Sequence, residues 1–206
     1  MNNMIAIVDY GVGNLFSVAS SLKSIGADAY LAKSADDIKN ASSIILPGVG
    51  AFRDARAKLL SSGMTDAILE AAKSGKPLLG ICLGMQLLLE KSFEFGKYDG
   101  LSLIEGNVRP IADVIPKGLK IPHIGWNALE FDDNPLFKYI KSGDCVYFVH
   151  SYFCADCDKN VIATTDYGAP LTAAVQKGNV FGVQFHPEKS GDVGLNILRA
   201  FCEIRG

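Results

Sequence analysis

Five consecutive residues, Gly80-Ile81-Cys82-Leu83-Gly84, stand between two apolar segments. A sharp strand-to-helix turn at this point lifts the Cys82 sulfur clear of the chain, as a nucleophile elbow does for serine. Such a turn holds its central residue in strained backbone. Gly80 and Gly84 remove the side chains that would collide around it. The sulfur is then expected at the carboxyl end of a sheet, the ligand side of open α/β folds. It also meets a helix N-terminus, where unpaired N–H groups stabilise negative charge. The Leu83 N–H faces the same space and can form half of an oxyanion hole. An isolated cysteine is ordinarily an inert buried thiol, but two glycines spaced around it at a strand-to-helix switch outweigh that reading.

A nucleophilic thiol needs a base, and only three histidines are available. His186 lies in Gly182-Val183-Gln184-Phe185-His186-Pro187-Glu188, after an apolar run and before a proline that ends a ladder. In extended chain, residues i and i+2 share a face, so Glu188 is expected to reach back to the His186 imidazole. A carboxylate there fixes the tautomer and stabilises the imidazolium. By itself His-Pro-Glu is a weak signal; beside a cysteine elbow it is a strong one. His123 and His150 have no carboxylate within two residues. They read as hydrogen-bonded structural histidines.

Other motifs fail on inspection. Cys154-Ala155-Asp156-Cys157 has the C-x-x-C spacing, but no second pair completes a zinc quartet. It also follows a late strand, whereas a thioredoxin-like pair opens a helix after the first one. Gly11-Val12-Gly13 would begin a dinucleotide fingerprint, yet position 16 is Phe. No phosphate-loop motif occurs. No cofactor and no metal are expected.

The elements that must hold these residues follow from periodicity. Ile5–Val8, Ala29–Leu31, Ser43–Leu46 and Pro77–Ile81 read as strands, the third stopped by Pro47-Gly48. Helical spacing joins Leu15, Val18, Ala19, Leu22 and Ile25, and again Met64, Ala67, Ile68 and Ala71. Ser34 with Asp37 marks a capped helix start. A second apolar helix is expected from Gly84 onward. This alternation argues for a parallel sheet covered on both faces. Residues 106–109, 145–152, 161–165, 172–175 and 180–185 read as strands with little helix between them. They suggest antiparallel additions to the same sheet, closed by a helix from Asn196 to Cys202. The expected fold is therefore α/β, an open and mostly parallel sheet, formed by one domain over residues 1–206.

Composition narrows the class. The 206 residues are 49% hydrophobic with a net charge of -2, ample for a packed core. No basic stripe points to nucleic acid, and no apolar run approaches the roughly 20 residues that span a bilayer. The run from Met1 to Asp9 lacks a basic leader and reads as a first strand. Five cysteines at irregular spacing read as free thiols of a cytosolic protein.

Taken together, Gly80-Ile81-Cys82-Leu83-Gly84-Met85-Gln86 and Gly182-Val183-Gln184-Phe185-His186-Pro187-Glu188 resemble the class I (triad) glutamine amidotransferases. The resemblance makes Cys82, His186 and Glu188 the triad. Further segments narrow it: Asp9-Tyr10-Gly11, Gly13-Asn14-Leu15, Pro47-Gly48-Val49-Gly50-Ala51-Phe52, Pro122-His123, Gly125-Trp126-Asn127 and Phe148-Val149-His150-Ser151-Tyr152. These are similar to the glutaminase subunits of imidazole glycerol phosphate synthases, over essentially the whole chain. The resemblance implies that Gln86 and the Ser151-Tyr152-Phe153 backbone hold the glutamine α-amino and carboxylate groups. It implies that Gly48, Val49 and Gly50 supply the second oxyanion donor, the Val49 N–H. It implies a (β/α)8-barrel cyclase as partner in a heterodimer, faced by Asn14, Trp126 and Lys189, and L-glutamine as substrate. Two alternatives stay open: the glutaminase subunit of a related sugar-amidating synthase, and a cysteine hydrolase on the same fold.

Overall fold

The computed structural model describes residues 4–206, so Met1 to Asn3 of the leading run lie outside it. The chain runs β1 (Ile5–Val8), α1 (Leu15–Ser24), β2 (Ala29–Ala32), α2 (Ala35–Asn40), β3 (Ser43–Gly48), α3 (Phe52–Ser61), α4 (Thr65–Lys73), β4 (Leu78–Cys82) and α5 (Leu83–Leu87). There follow β5 (Lys91–Ser92), β6 (Tyr98–Asp99), β7 (Asn107–Pro110), β8 (His123–Ala128), β9 (Cys145–His150) and β10 (Tyr152–Ala155). The last part carries β11 (Val161–Asp166), β12 (Pro170–Lys177), β13 (Val180–Val183) and α6 (Gly191–Glu203).

Seven strands form the main sheet in the order β11-β12-β13-β4-β3-β1-β2. The five from β13 to β2 are parallel, and β12 and β11 are added antiparallel. In a parallel sheet both faces must be buried. Strand β1 shows it: Ala6 and Val8 pack with Ile38, Phe52, Leu59 and Ile68 of α2, α3 and α4. Ile5 and Ile7 point the other way, against Val18 and Leu22 of α1 and Ile197, Leu198 and Phe201 of α6. Each of these side chains larger than alanine contributes about 1.5–3 kcal/mol by leaving water. The Ser34–Asp37 capping box starts α2 as read from the sequence.

Several expectations need correction. Strand β3 does not stop at Pro47-Gly48 but carries both, paired with Ile81 and Cys82. Its ladder with β1 ends at Ile45, so Pro47 lacks a neighbour on that side and its missing N–H costs no bond. The helix after the elbow is short, ending at Leu87. Helix α3 was not foreseen, because Arg, Asp and Lys dilute its apolar face of Phe52, Ala55 and Leu59. The run 145–152 is broken at Ser151 into β9 and β10. Nor do all late strands join the main sheet. A four-stranded sheet, β10-β7-β5-β6, and a ribbon, β8-β9, stand apart from it. Among the described residues, no helix is long and apolar enough to cross a membrane.

Candidate active site

Three neighbouring strands of the main sheet end at one place. Gly48 closes β3 opposite Cys82, which closes β4. Strand β13 pairs Val183 with Ile81, so the segment leaving it delivers His186 to the same edge. Strand order, not sequence distance, therefore brings residues 48, 82 and 186 together at the carboxyl end of the sheet.

Cys82 has φ 55° and ψ -112°, a conformation that L residues rarely adopt. The glycines around it are sterically required. A Cβ on Gly80 would lie 2.7 Å from the Gly84 oxygen and the Met85 nitrogen, and one on Gly84 would overlap the Leu46 carbonyl. The elbow thus packs backbone on backbone and leaves the sulfur outermost. Cys82 is nearly buried, and Gln184 Nε2 points at its Sγ from 3.6 Å.

His186 is buried, and its Nδ1 lies 2.8 Å from Glu188 Oε1. The route differs from the one read in the sequence. Pro187–Lys189 is a 3-10 turn, not extended chain, because Pro187 sets its first φ in the helical range. The turn still folds the carboxylate onto the ring. Burial opposes a charge on His186, but hydrogen bonding to Cys82 and Glu188 outweighs it and carries the imidazole up to about 9. The second Glu188 oxygen, Oε2, is buried and meets no donor among the described residues.

A cavity of about 470 Å³ opens at the sulfur, within the range of small-ligand sites. Val49, Gly50, Leu83, Gln86, Ser151, Tyr152 and His186 line it with Cys82. Gly48 sits behind the elbow, and Phe153 faces away, packed with Ile111, Ile115 and Leu171. Gln86 Nε2 donates to the Tyr152 carbonyl at 3.1 Å and to Gln184 Oε1 at 2.9 Å, fixing the cavity wall to the elbow.

Three polar residues that line or support the cavity escaped the sequence reading. Gln184 is fully buried between Gln86 and Cys82. Glu94 lines the cavity and accepts from the Phe52 N–H, at the start of α3. His150 lines it from the end of β9. A polar residue inside an apolar strand run was a usable signal for Gln184. Glu94 sits in a loop without one.

Asn14 starts α1, which packs on the 187–189 turn. Lys189 Nζ lies 5.8 Å over the Tyr147 ring, and Trp126 meets the same ring at 6.0 Å. The Lys189–Tyr147–Trp126 contacts form one surface with Trp126 half-exposed. Cys154 and Cys157 are buried free thiols, and burial pushes both up, Cys157 to about 11. No trio of His, Cys, Asp or Glu side chains among the described residues is placed to hold a metal ion.

Residues 6–204 match the family model for glutamine amidotransferase class I. The chain is 53% identical over 203 residues to the imidazole glycerol phosphate synthase subunit HisH of Caldanaerobacter subterraneus subsp. tengcongensis, covering 98% of each chain. It is 49% identical to the HisH subunit of Wolinella succinogenes, covering 98% of this chain and all of that one. In fold it resembles the structure of PurLQS from Thermotoga maritima, with a TM-score of 0.75 at 20% identity over 98% of each chain. The chain belongs to the class I glutamine amidotransferases, in the family of imidazole glycerol phosphate synthase HisH subunits.

Proposed function

We propose that Cys82, His186 and Glu188 hydrolyse glutamine, and that this chain passes the ammonia to a (β/α)8-barrel cyclase in a heterodimer. Membership of the family makes the chain a glutaminase subunit acting in histidine biosynthesis. The observation that carries the residue assignment is the strained Cys82 at the cavity floor beside a His186 bonded to Glu188.

The Cys82 sulfur attacks the glutamine side-chain carbonyl, forming a C–S bond. The Leu83 and Val49 N–H groups hold the oxyanion. Collapse breaks the C–N bond, and His186 delivers the proton that lets ammonia leave. His186 then takes a proton from water, which attacks the thioester and releases glutamate and the thiol. Glu188 keeps the imidazole oriented throughout. Gln86, Ser151 and Tyr152 hold the amino-acid end. Glu94 supplies a carboxylate complementary to the substrate ammonium. Gly48 and Gly50 give the Val49 peptide its freedom, and Phe153 acts only from behind the wall. Asn14, Trp126 and Lys189 face the partner. We read residues 1–206 as one glutaminase domain working in the cytoplasm, without cofactor, metal or nucleic acid.

The test is Cys82→Ala in the reconstituted complex. Glutamine-dependent synthesis falls to background, while added ammonium salts still drive the partner. Retained glutaminase activity in this variant removes Cys82 from the role.

A further inference from the structure

Two histidines take no part in the triad, yet both are buried and they touch. His123 opens β8 and His150 closes β9, directly opposite in the antiparallel register. His123 Nδ1 and His150 Nε2 lie 3.0 Å apart. At the outer end, His123 Nε2 is 2.8 Å from Asn127 Oδ1. That amide has a fixed orientation, because Asn127 Nδ2 donates to the Asp166 carbonyl at 3.0 Å. Turned over, it would set oxygen against oxygen. At the inner end, His150 Nδ1 is 2.9 Å from the Tyr152 carbonyl.

Counting protons decides the state of the pair. Both outer contacts end on oxygens that only accept, so His123 Nε2 and His150 Nδ1 must each carry a hydrogen. A neutral imidazole has one ring N–H. Two neutral rings would therefore meet lone pair to lone pair at the 3.0 Å contact. Three contacts need three protons on two rings. We infer that His123 and His150 hold one shared extra proton, forming a buried monocation that fixes the Tyr152 carbonyl in the wall of the glutamine cavity.

Burial opposes this charge; the N–H···N bond, which two neutral rings cannot make, and the aromatic faces offset it. His123 stacks on Phe148 and on Tyr167, with centroids 5.1 and 4.1 Å away, and ring faces favour an imidazolium. Burial, opposed by the bond to the Tyr152 carbonyl and aided by His123 and His186, pushes His150 down to about 4. Burial likewise lowers His123, against the bond to Asn127. His186 is thus the other charged group that acts on His150. Tyr167 presents its ring, its hydroxyl donating to the Lys120 carbonyl. Asp166 presents its main-chain oxygen, its carboxylate taking the Gly168 N–H.

The pair touches no reacting atom. It is a positioning device, acting through a carbonyl that also receives Gln86, which in turn bonds Gln184 beside the sulfur. Only this kinetic consequence rests on the glutaminase reading.

Ring-nitrogen NMR on the full chain with labelled histidine tests the inference at pH 7. The pair should show three ring N–H signals: His123 Nε2, His150 Nδ1 and one strongly deshielded shared proton. Two signals, one per ring, overturn the shared charge. In the reconstituted complex, His123→Gln should raise the glutamine KM about tenfold and leave kcat within about threefold. An unchanged KM overturns the positioning role, and if the variant does not fold the native spectrum still decides. Glutaminase activity surviving in Cys82→Ala would sink the functional reading yet leave the three-proton spectrum standing.

Discussion

At neutral pH the His186 imidazole is charged in the folded chain. Burial works against that charge, but the bonds to Cys82 and Glu188 move its proton affinity from 6.5 to about 9. Two consequences follow at the residue scale. In Cys82→Ala the largest raising contribution is lost, so the ring should titrate clearly below 9. Following the His186 ring proton with pH checks it, and a midpoint still near 9 contradicts the assignment of the shift. The sign of the stability effect is fixed as well. A folded affinity above the unfolded one stabilises the fold fully below about 6.5, and this contribution fades as pH rises through about 9. Cys82, His186 and Glu188 were legible in the sequence because glycine spacing marks the elbow and only three histidines compete. The contacts of Gln184, Glu94 and the His123–His150 pair were not. Their partners lie 98, 42 and 27 residues away, and only the assembled sheets bring them together.

The elbow is an element before it is a residue. Strand β4 and helix α5 join with no intervening loop, and α5 lies so close to β3 that no Cβ fits at Gly84. Gly84→Ala should therefore destabilise the chain by about 3 kcal/mol or more, since the obstacle is the Leu46 backbone and cannot swing aside. Denaturant unfolding measures it, and a loss below about 1 kcal/mol would mean that the elbow can shift. At this scale the parallel half was readable, because buried strands and amphipathic helices alternate with clear periods. Short β5 and β6 carry no period of their own. The separate β8-β9 ribbon was not readable either: β8 alternates exposed positions with buried or half-buried ones, as an added edge strand would.

Over the whole molecule, the fold places Val49, Cys82 and His186 at the ends of three adjacent strands. The two smaller sheets supply the opposite wall of the cavity through His150, Ser151 and Tyr152. The central claim is that glutamine is cleaved through a thioester on Cys82. Rapid quenching of the reconstituted complex during turnover, followed by peptide mass spectrometry, tests it most directly. The account predicts one γ-glutamyl group on the peptide bearing Cys82 and none on those bearing Cys145, Cys154, Cys157 or Cys202. Steady ammonia release with the adduct on another cysteine, or on none under conditions that trap thioesters, would contradict it.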